Sequence, residues 1–370
     1  MAPESEAPTT GGADPLTRRR LLRRLRRVMG AIEQRQRVQE LGYGLLVAAL
    51  AMAWPASSPY AGGGEAALRL NGAEEVITQG LLYPLGSGLV GTVDGMDGDS
   101  AIRLIAALCL GGAFTLTLAF LRGLGFRRTA SLPASITAFA APFSWIGATS
   151  PIDYAPGMFG ASLLLWSLFR QSQDTQRGYQ WRAIVCFGVA FMLHMELVLL
   201  VPATAWAVAR HPEYRREAQI TAFSVVAVLL MSIAIGLAGP SESLRVDHLV
   251  TRTLAGAEGP SPSAWLGWLV AAPLGFGAGL FGIYQLLIAQ RSVEAKRAPV
   301  WMVAWCLPFL APIVAGSPEL APISPYLIPA GALGLADWLN RQGSSSREAR
   351  LGTVVALAQI GLTAALVLTR

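Results

Sequence analysis

Eleven apolar runs dominate this chain and limit what it can fold into. They cover about 41–58, 101–121, 130–149, 155–169, 183–193, 195–209, 219–238, 265–289, 300–315, 323–338 and 351–369. A helix needs about 20 apolar residues to cross the hydrocarbon of a bilayer. In that medium the backbone must satisfy its own hydrogen bonds, which selects helices. Hydrophobic residues make up 53% of the 370 and charged residues 14%, against about 25% charged in soluble domains. That balance excludes a disordered chain, a coiled coil and an ordinary soluble enzyme. The pattern predicts an all-α, polytopic integral membrane protein with about 11 transmembrane helices. Its predicted organisation is an amino-terminal arm, 1–40, followed by a single transmembrane domain, 41–370.

Charge in the connections gives an orientation. Basic residues fill the amino-terminal arm, then Arg122, Arg127 and Arg128, then Arg170, Arg177 and Arg182. They recur at Arg210, Arg215 and Arg216, at Arg291, Lys296 and Arg297, and at Arg341, Arg347 and Arg350. Acids collect in the alternate connections, with Glu65, Glu74, Glu75, Asp94, Asp97 and Asp99 against a single Arg69 in the loop 59–100. Arginine-rich connections stay cytoplasmic, so the amino terminus is expected inside and the carboxyl terminus, Arg370, outside. Basic loops flank 183–209 on both sides, so that stretch must cross an even number of times. At about 1.5 Å per residue it is too short for two full crossings. Two half-helices meeting near His194, or a re-entrant pair, satisfy both facts, because broken helices at membrane depth are tolerated where they line a cavity.

The net charge of +6 would suggest nucleic acid in a soluble protein, but its confinement to one set of loops argues for a membrane and no nucleic-acid partner. Residues 1–16 are polar and rich in Pro, Gly and Thr, a composition that favours disorder. RRRLLRRLRR (18–27) then sets leucines at helical spacing among arginines. It reads either as an amphipathic helix on the anionic cytoplasmic leaflet or as a solvated arm that only fixes topology. Cys109, Cys186 and Cys306 each lie in an apolar run with no CxxC or Cys/His cluster, and read as buried free thiols.

The loop 59–100 is longer than a connector needs to be. Within it, NGAEEVITQGLLYPLGSGLV (71–90) reads as a helix lying at the outer interface, with Glu74 and Glu75 at its start. Those carboxylates either cap the helix dipole or act at the mouth of a cavity as general base or metal ligand. GTVDGMDGDS (91–100) spaces Asp94, Asp97 and Asp99 among glycines as a calcium loop does, but lacks the closing glutamate. His194 and Glu196 are the ionisable pair deepest in an apolar run, where such groups face a cavity or a partner; His194 serves a buried structural bond or a site. Asp153 and Tyr154 occupy a very short outer turn, SPIDYAPG. Arg245, Asp247, His248 and Arg252 follow on the same side, either solvated or holding a phosphate through bidentate bonds. No Walker loop, GxGxxG, HExxH or GxSxG is present.

The order of elements resembles the GT-C superfamily of membrane glycosyltransferases, in its bacterial branch related to the eukaryotic transmembrane O-mannosyltransferases. Pro55 closes the first run, GAEEVI (72–77) stands at that branch's acidic element, and YPLGSGL (83–89) stands at its proline turn. WIGATSPIDYAPGMF (145–159) resembles the segment carrying Glu-x-Tyr, and FMLHMELVLLVPA (191–203) resembles an Asn-His-x-Thr stretch leading to Pro. The likeness covers about 42–209. It departs where the leading Asp falls on Gly72, the His on Tyr83, and the late Arg-Tyr element on SPYLIPAG (324–331), which has no Arg. The resemblance implies a GT-C-like fold in a bacterial inner membrane and transfer of a sugar from a polyprenyl-phosphate carrier to an outer-face acceptor. It implies Glu75 as base with Glu74 beside it, Asp153, Tyr154 and His194 binding acceptor or donor, and Arg245 or Arg252 on the departing phosphate. A divalent metal stays open. The expected partners are membrane lipid, a lipid-linked sugar, and a protein acceptor or partner subunit. Two other readings are a catalytically silent scaffold, which the missing Asp and Arg favour, and a transporter, which the broken stretch 183–209 suits.

Overall fold

The computed structural model describes residues 15–54, 82–149, 154–173, 185–186, 188–190, 193, 197, 273–288 and 327–368. Among these the structure is helical, with no strand. The helices are α1 (Pro15–Ala53), α2 (Leu82–Thr92), α3 (Gly98–Gly123), α4 (Arg128–Phe139), α5 (Pro142–Thr149), α6 (Tyr154–Gln173), α7 (Ala278–Ile288), α8 (Ile328–Asn340) and α9 (Ser345–Leu368). The chain divides into two compact units, Met1–Gly42 and Tyr43–Arg370.

In the first unit the arginine-rich segment 18–27 is helical and belongs to the same helix as the first apolar run. Residue 40 lies within α1. Ala, Leu, Arg and Gln are all good helix formers, and no proline or capping residue interrupts them. Glu33 and Arg37 pair at 2.5 Å one turn apart on the exposed surface.

In the second unit α3 forms the centre. Its buried face carries Ile102, Ile105, Ala106, Leu110, Ala113, Phe114, Leu118 and Leu121 at helical spacing. Small residues let neighbouring helices close in on it. A Cβ placed on Gly111 would fall on the carbonyl oxygen of Gly44 in α1, and one on Gly112 would lie 2.7 Å from the Phe159 ring of α6. Thr117 and Ser162 share a buried hydrogen bond of 3.2 Å across that same α3–α6 contact. Close approach through glycine, with hydroxyls paired across the seam, is how helices associate where the hydrophobic effect supplies no drive. The pair α7–α8 repeats the device: a Cβ on Gly282 would strike the Gly331 carbonyl, and one on Gly334 the Gly282 carbonyl.

Two runs that the sequence presents as continuous are divided. The run 130–149 becomes α4 and α5, parted at Ala140 and Ala141, because Pro142 offers no amide hydrogen and starts a new helix. The run 265–289 is broken at Gly277, whose φ of +54° suits glycine, before α7 begins. Of the expected interfacial helix 71–90, residues 82–90 are described and are helical, within α2; residues 71–81 lie outside the described residues, as do the runs 219–238 and 300–315. Around 183–209, residues 185–186, 188–190 and 193 are helical and Leu197 lies in a tight turn. Ala190 and Leu197 both pack against Gly160 of α6.

Two described helices, Gly98–Gly123 and the Ser345–Leu366 part of α9, are long and apolar enough to cross a membrane. Cys109 is buried in α3 and Cys186 is half-buried, neither in a disulfide. Gly334→Ala should therefore lower stability by about 1–3 kcal/mol, because its methyl meets backbone that cannot yield. Gly279→Ala, whose methyl would meet open space, should leave the unfolding midpoint in detergent nearly unchanged.

Candidate functional site

The two ends of the second unit differ in chemistry. At one end Arg127, Arg128 and Arg341 are engaged. Glu348, fully buried in the first turn of α9, accepts from Arg127 at 3.1 Å and from the Thr129 hydroxyl at 2.6 Å. Arg128 binds the Tyr43 hydroxyl, and its guanidinium lies 5.7 Å from the centre of that ring. Arg341 pairs with the buried Asp337 at 3.3 Å and donates to Gln285 of α7 at 2.8 Å. These bonds tie α1, α3–α4, α7, α8 and α9 together at one level.

The opposite end has a cluster of a different kind, where α1 finishes and α3 and α6 begin. Arg103, in the second turn of α3, donates through Nη2 to the carbonyl oxygens of Trp54 at 2.6 Å and Met52 at 3.4 Å. It thus satisfies carbonyls that the end of α1 leaves open and adds positive charge at the negative pole of that helix. Trp54 meets Trp145 of α5 edge to face, with ring centres 5.7 Å apart. Three N–H groups of this cluster are buried without a partner: Arg103 Nε, Trp54 Nε1 and Trp145 Nε1. Unpaired buried donors are costly, and each of these three N–H groups would gain from an acceptor. Tyr154 belongs to the same end. It opens α6 and packs against Gly147 of α5, where a Cβ would lie 2.8 Å from the tyrosine's own.

Asp97 sits at the entrance to α3 and caps it, its carboxylate accepting from the Ser100 amide at 2.7 Å. The hydrogen bonds from Ser100, helped by the nearby Arg103 charge, hold the Asp97 carboxyl below its ordinary value. Asp97 is the cap of α3, and no cluster of metal-binding side chains occurs among the described residues.

Of the residues singled out from the sequence, Tyr154 is described and stands at this end. Glu74, Glu75, Asp153, His194, Arg245 and Arg252 lie outside the described residues. The sequence reading missed Arg103, Trp54 and Trp145. Arg103 had a signal, because a charged residue inside an apolar run marks a site or a partner, and Trp54 stands directly before Pro55 at the end of a run. No family model, curated protein or solved structure matches the chain.

Arg103→Leu should destabilise the protein by about 2 kcal/mol through two charge-assisted bonds, with Arg103→Lys recovering part of it in a detergent unfolding assay. The Asp97 cap has a defined pH window. With the folded-state carboxyl more acidic than the unfolded one, its contribution is complete above the ordinary carboxylate value and vanishes as pH falls through the lowered one. Hydrogen exchange at the first turn of α3 should accelerate over that interval, and Asp97→Ala should make it fast at every pH.

Proposed function

We propose that this protein is a multispanning inner-membrane protein of GT-C-like architecture, with about 11 crossings, that transfers a sugar from a polyprenyl-phosphate carrier to an acceptor at the outer face. The observation that carries this reading is the donor-rich cluster of Arg103, Trp54 and Trp145. It stands at the end away from the engaged arginines, which in this reading is the outer end. A guanidinium and two indole N–H groups suit a phosphate oxygen, which accepts and does not donate. The membrane reading is supported by apolar side chains left exposed along α1, such as Leu45, Leu46 and Leu50, and along α9, at Val354, Leu357 and Ile360. Contiguous exposed apolar surface of this kind belongs against another apolar phase.

In the proposed reaction an acceptor hydroxyl attacks the sugar's anomeric carbon, the bond to the carrier phosphate oxygen breaks, and the proton passes to Glu75. Glu74 supports that carboxylate at the helix start. Asp153, Tyr154 and His194 orient the acceptor or donor, and Arg245 or Arg252 neutralises the departing lipid phosphate, a use of fixed positive charge that lowers a barrier efficiently. A second reading, passage of a solute, is favoured by the interrupted helices α4–α5 and the break before α7, since discontinuous helices mark transport sites.

The test is transfer of labelled sugar from synthetic polyprenyl-phosphate donors by the purified protein in nanodiscs. Glu75→Gln should reduce turnover by about 10²–10⁴, the range a general base contributes. Full activity in that variant removes Glu75 from the role. No transfer with any donor, from a protein that is folded, replaces the enzyme reading with that of a scaffold or partner subunit.

A further inference from the structure

The arginine-rich beginning of α1 takes no part in the proposed reaction. Residues 15–32 are helical and hold seven arginines between Arg18 and Arg27, with no acid among them. Because the segment is helical, its spacing fixes which positions share a side. At 100° per residue, Leu21, Leu22, Leu25, Val28, Met29 and Ile32 fall in one sector about 120° wide. Arg19, Arg20, Arg23, Arg24, Arg26 and Arg27 all fall outside that sector, and Arg18 stands at its head.

The stretch EQRQRVQE (33–40) joins this arm to the apolar end of α1. Five of its first six residues, Glu33, Gln34, Arg35, Arg37 and Val38, are exposed and Gln36 is half-buried, so no side of the helix is buried there. A helix polar almost all round lacks a packing face, and α1 can turn at this stretch and let the arm follow a surface. Three partners could meet an arginine helix. Nucleic acid offers phosphates but has no use for six apolar residues in one sector. A second copy would match the apolar sector but would crowd two sets of arginines, and like charges repel. An anionic leaflet offers both phases, headgroup charge for the arginines and acyl chains for the leucines. The apolar end of α1, exposed at Leu41, Leu45 and Leu46, brings that leaflet within reach.

We propose that residues 16–32 form a surface helix that binds the anionic cytoplasmic leaflet, with the apolar sector in the acyl layer and the arginines among the phosphate headgroups. The arm lies down where anionic lipid is plentiful and comes free where it is scarce, so it reads the charge of the leaflet. This rests on the membrane reading of the chain and is independent of sugar transfer.

The experiment is hydrogen exchange on the full chain in nanodiscs of phosphatidylcholine, or of an equal mixture with phosphatidylglycerol. Amides of 18–32 should exchange more slowly in the mixed discs, while those of α3 and α9 exchange alike in both. Added salt should narrow the difference, because screening weakens the headgroup attraction. Arg24→Gln should lower the ratio of bound to free arm about fivefold, the share of one basic residue near an anionic surface. Leu22→Gln with Leu25→Gln keeps every arginine and a good helix former at both positions, and should abolish the slowing. A slowing that survives that double change means that charge alone holds the arm, and overturns the proposal. So does equal exchange in the two discs. Slowing by added RNA in phosphatidylcholine discs, with none from phosphatidylglycerol, overturns it in favour of a nucleic-acid partner. A chain that does not enter discs removes the membrane reading as well, whereas one that enters and shows no lipid dependence in its arm loses this proposal alone.

Discussion

Every interruption of a helix inside an apolar bundle exposes carbonyls and amides that nothing around them can bind, and this fold rests on how one helix answers that demand. The buried stripe of α9 runs through Glu348, Gly352, Ala356, Gln359 and Thr363, at spacings of three and four. Glu348 takes up Arg127 and Thr129. Gly352 leaves room for Pro133, whose ring would stand 2.6 Å from an added Cβ. Gln359 and Thr363 close the two breaks. The other face of α9, with Val354, Leu357 and Ile360, stays exposed. A helix apolar enough to sit in a membrane thus spends its few polar groups on the backbone and charges of its neighbours.

The two ends of the bundle follow different rules for the same reason. At the arginine-rich end the buried carboxylates Glu348 and Asp337 have cationic partners, so charge taken from water is compensated. These bonds tie α4 to α9 and α7 to α8. At the far end Arg103 also binds protein oxygen, but it and two indoles keep N–H groups in reserve. The two ends thus differ in where N–H groups stay unpaired.

The long apolar helices were legible because hydropathy and length together admit little else. The run 101–121 became Gly98–Gly123, and 351–369 became Ser345–Leu368. The breaks were not legible, and the prolines show why. Pro133 lies inside α4 and the helix continues past it, while Pro142 begins a new one. Both occur in one apolar run, and what separates them is tertiary: Gly352 makes space for the first, and Thr363 receives the carbonyl freed beside the second. Composition cannot report a partner more than two hundred residues away. Glu348 was hidden likewise, one acid in a basic connection whose burial depends on Arg127. Arg103 was legible in principle, yet the apolar residues around it absorbed it into a span. Tyr154 was found from the shortness of its turn, which forces it to a bundle end.

Helix α5 lies between the paired breaks and the Arg103 cluster. It has 8 residues, about 12 Å of length, and a helix so short has almost no stability of its own. Its position is therefore set from outside: at its start by Phe143 against Phe276, at its middle by Trp145 against Trp54, and at its end by Tyr154 against Gly147. Phe143 and Trp145 lie two residues apart and so face different sides of the helix, one on Phe276 and the other on Trp54.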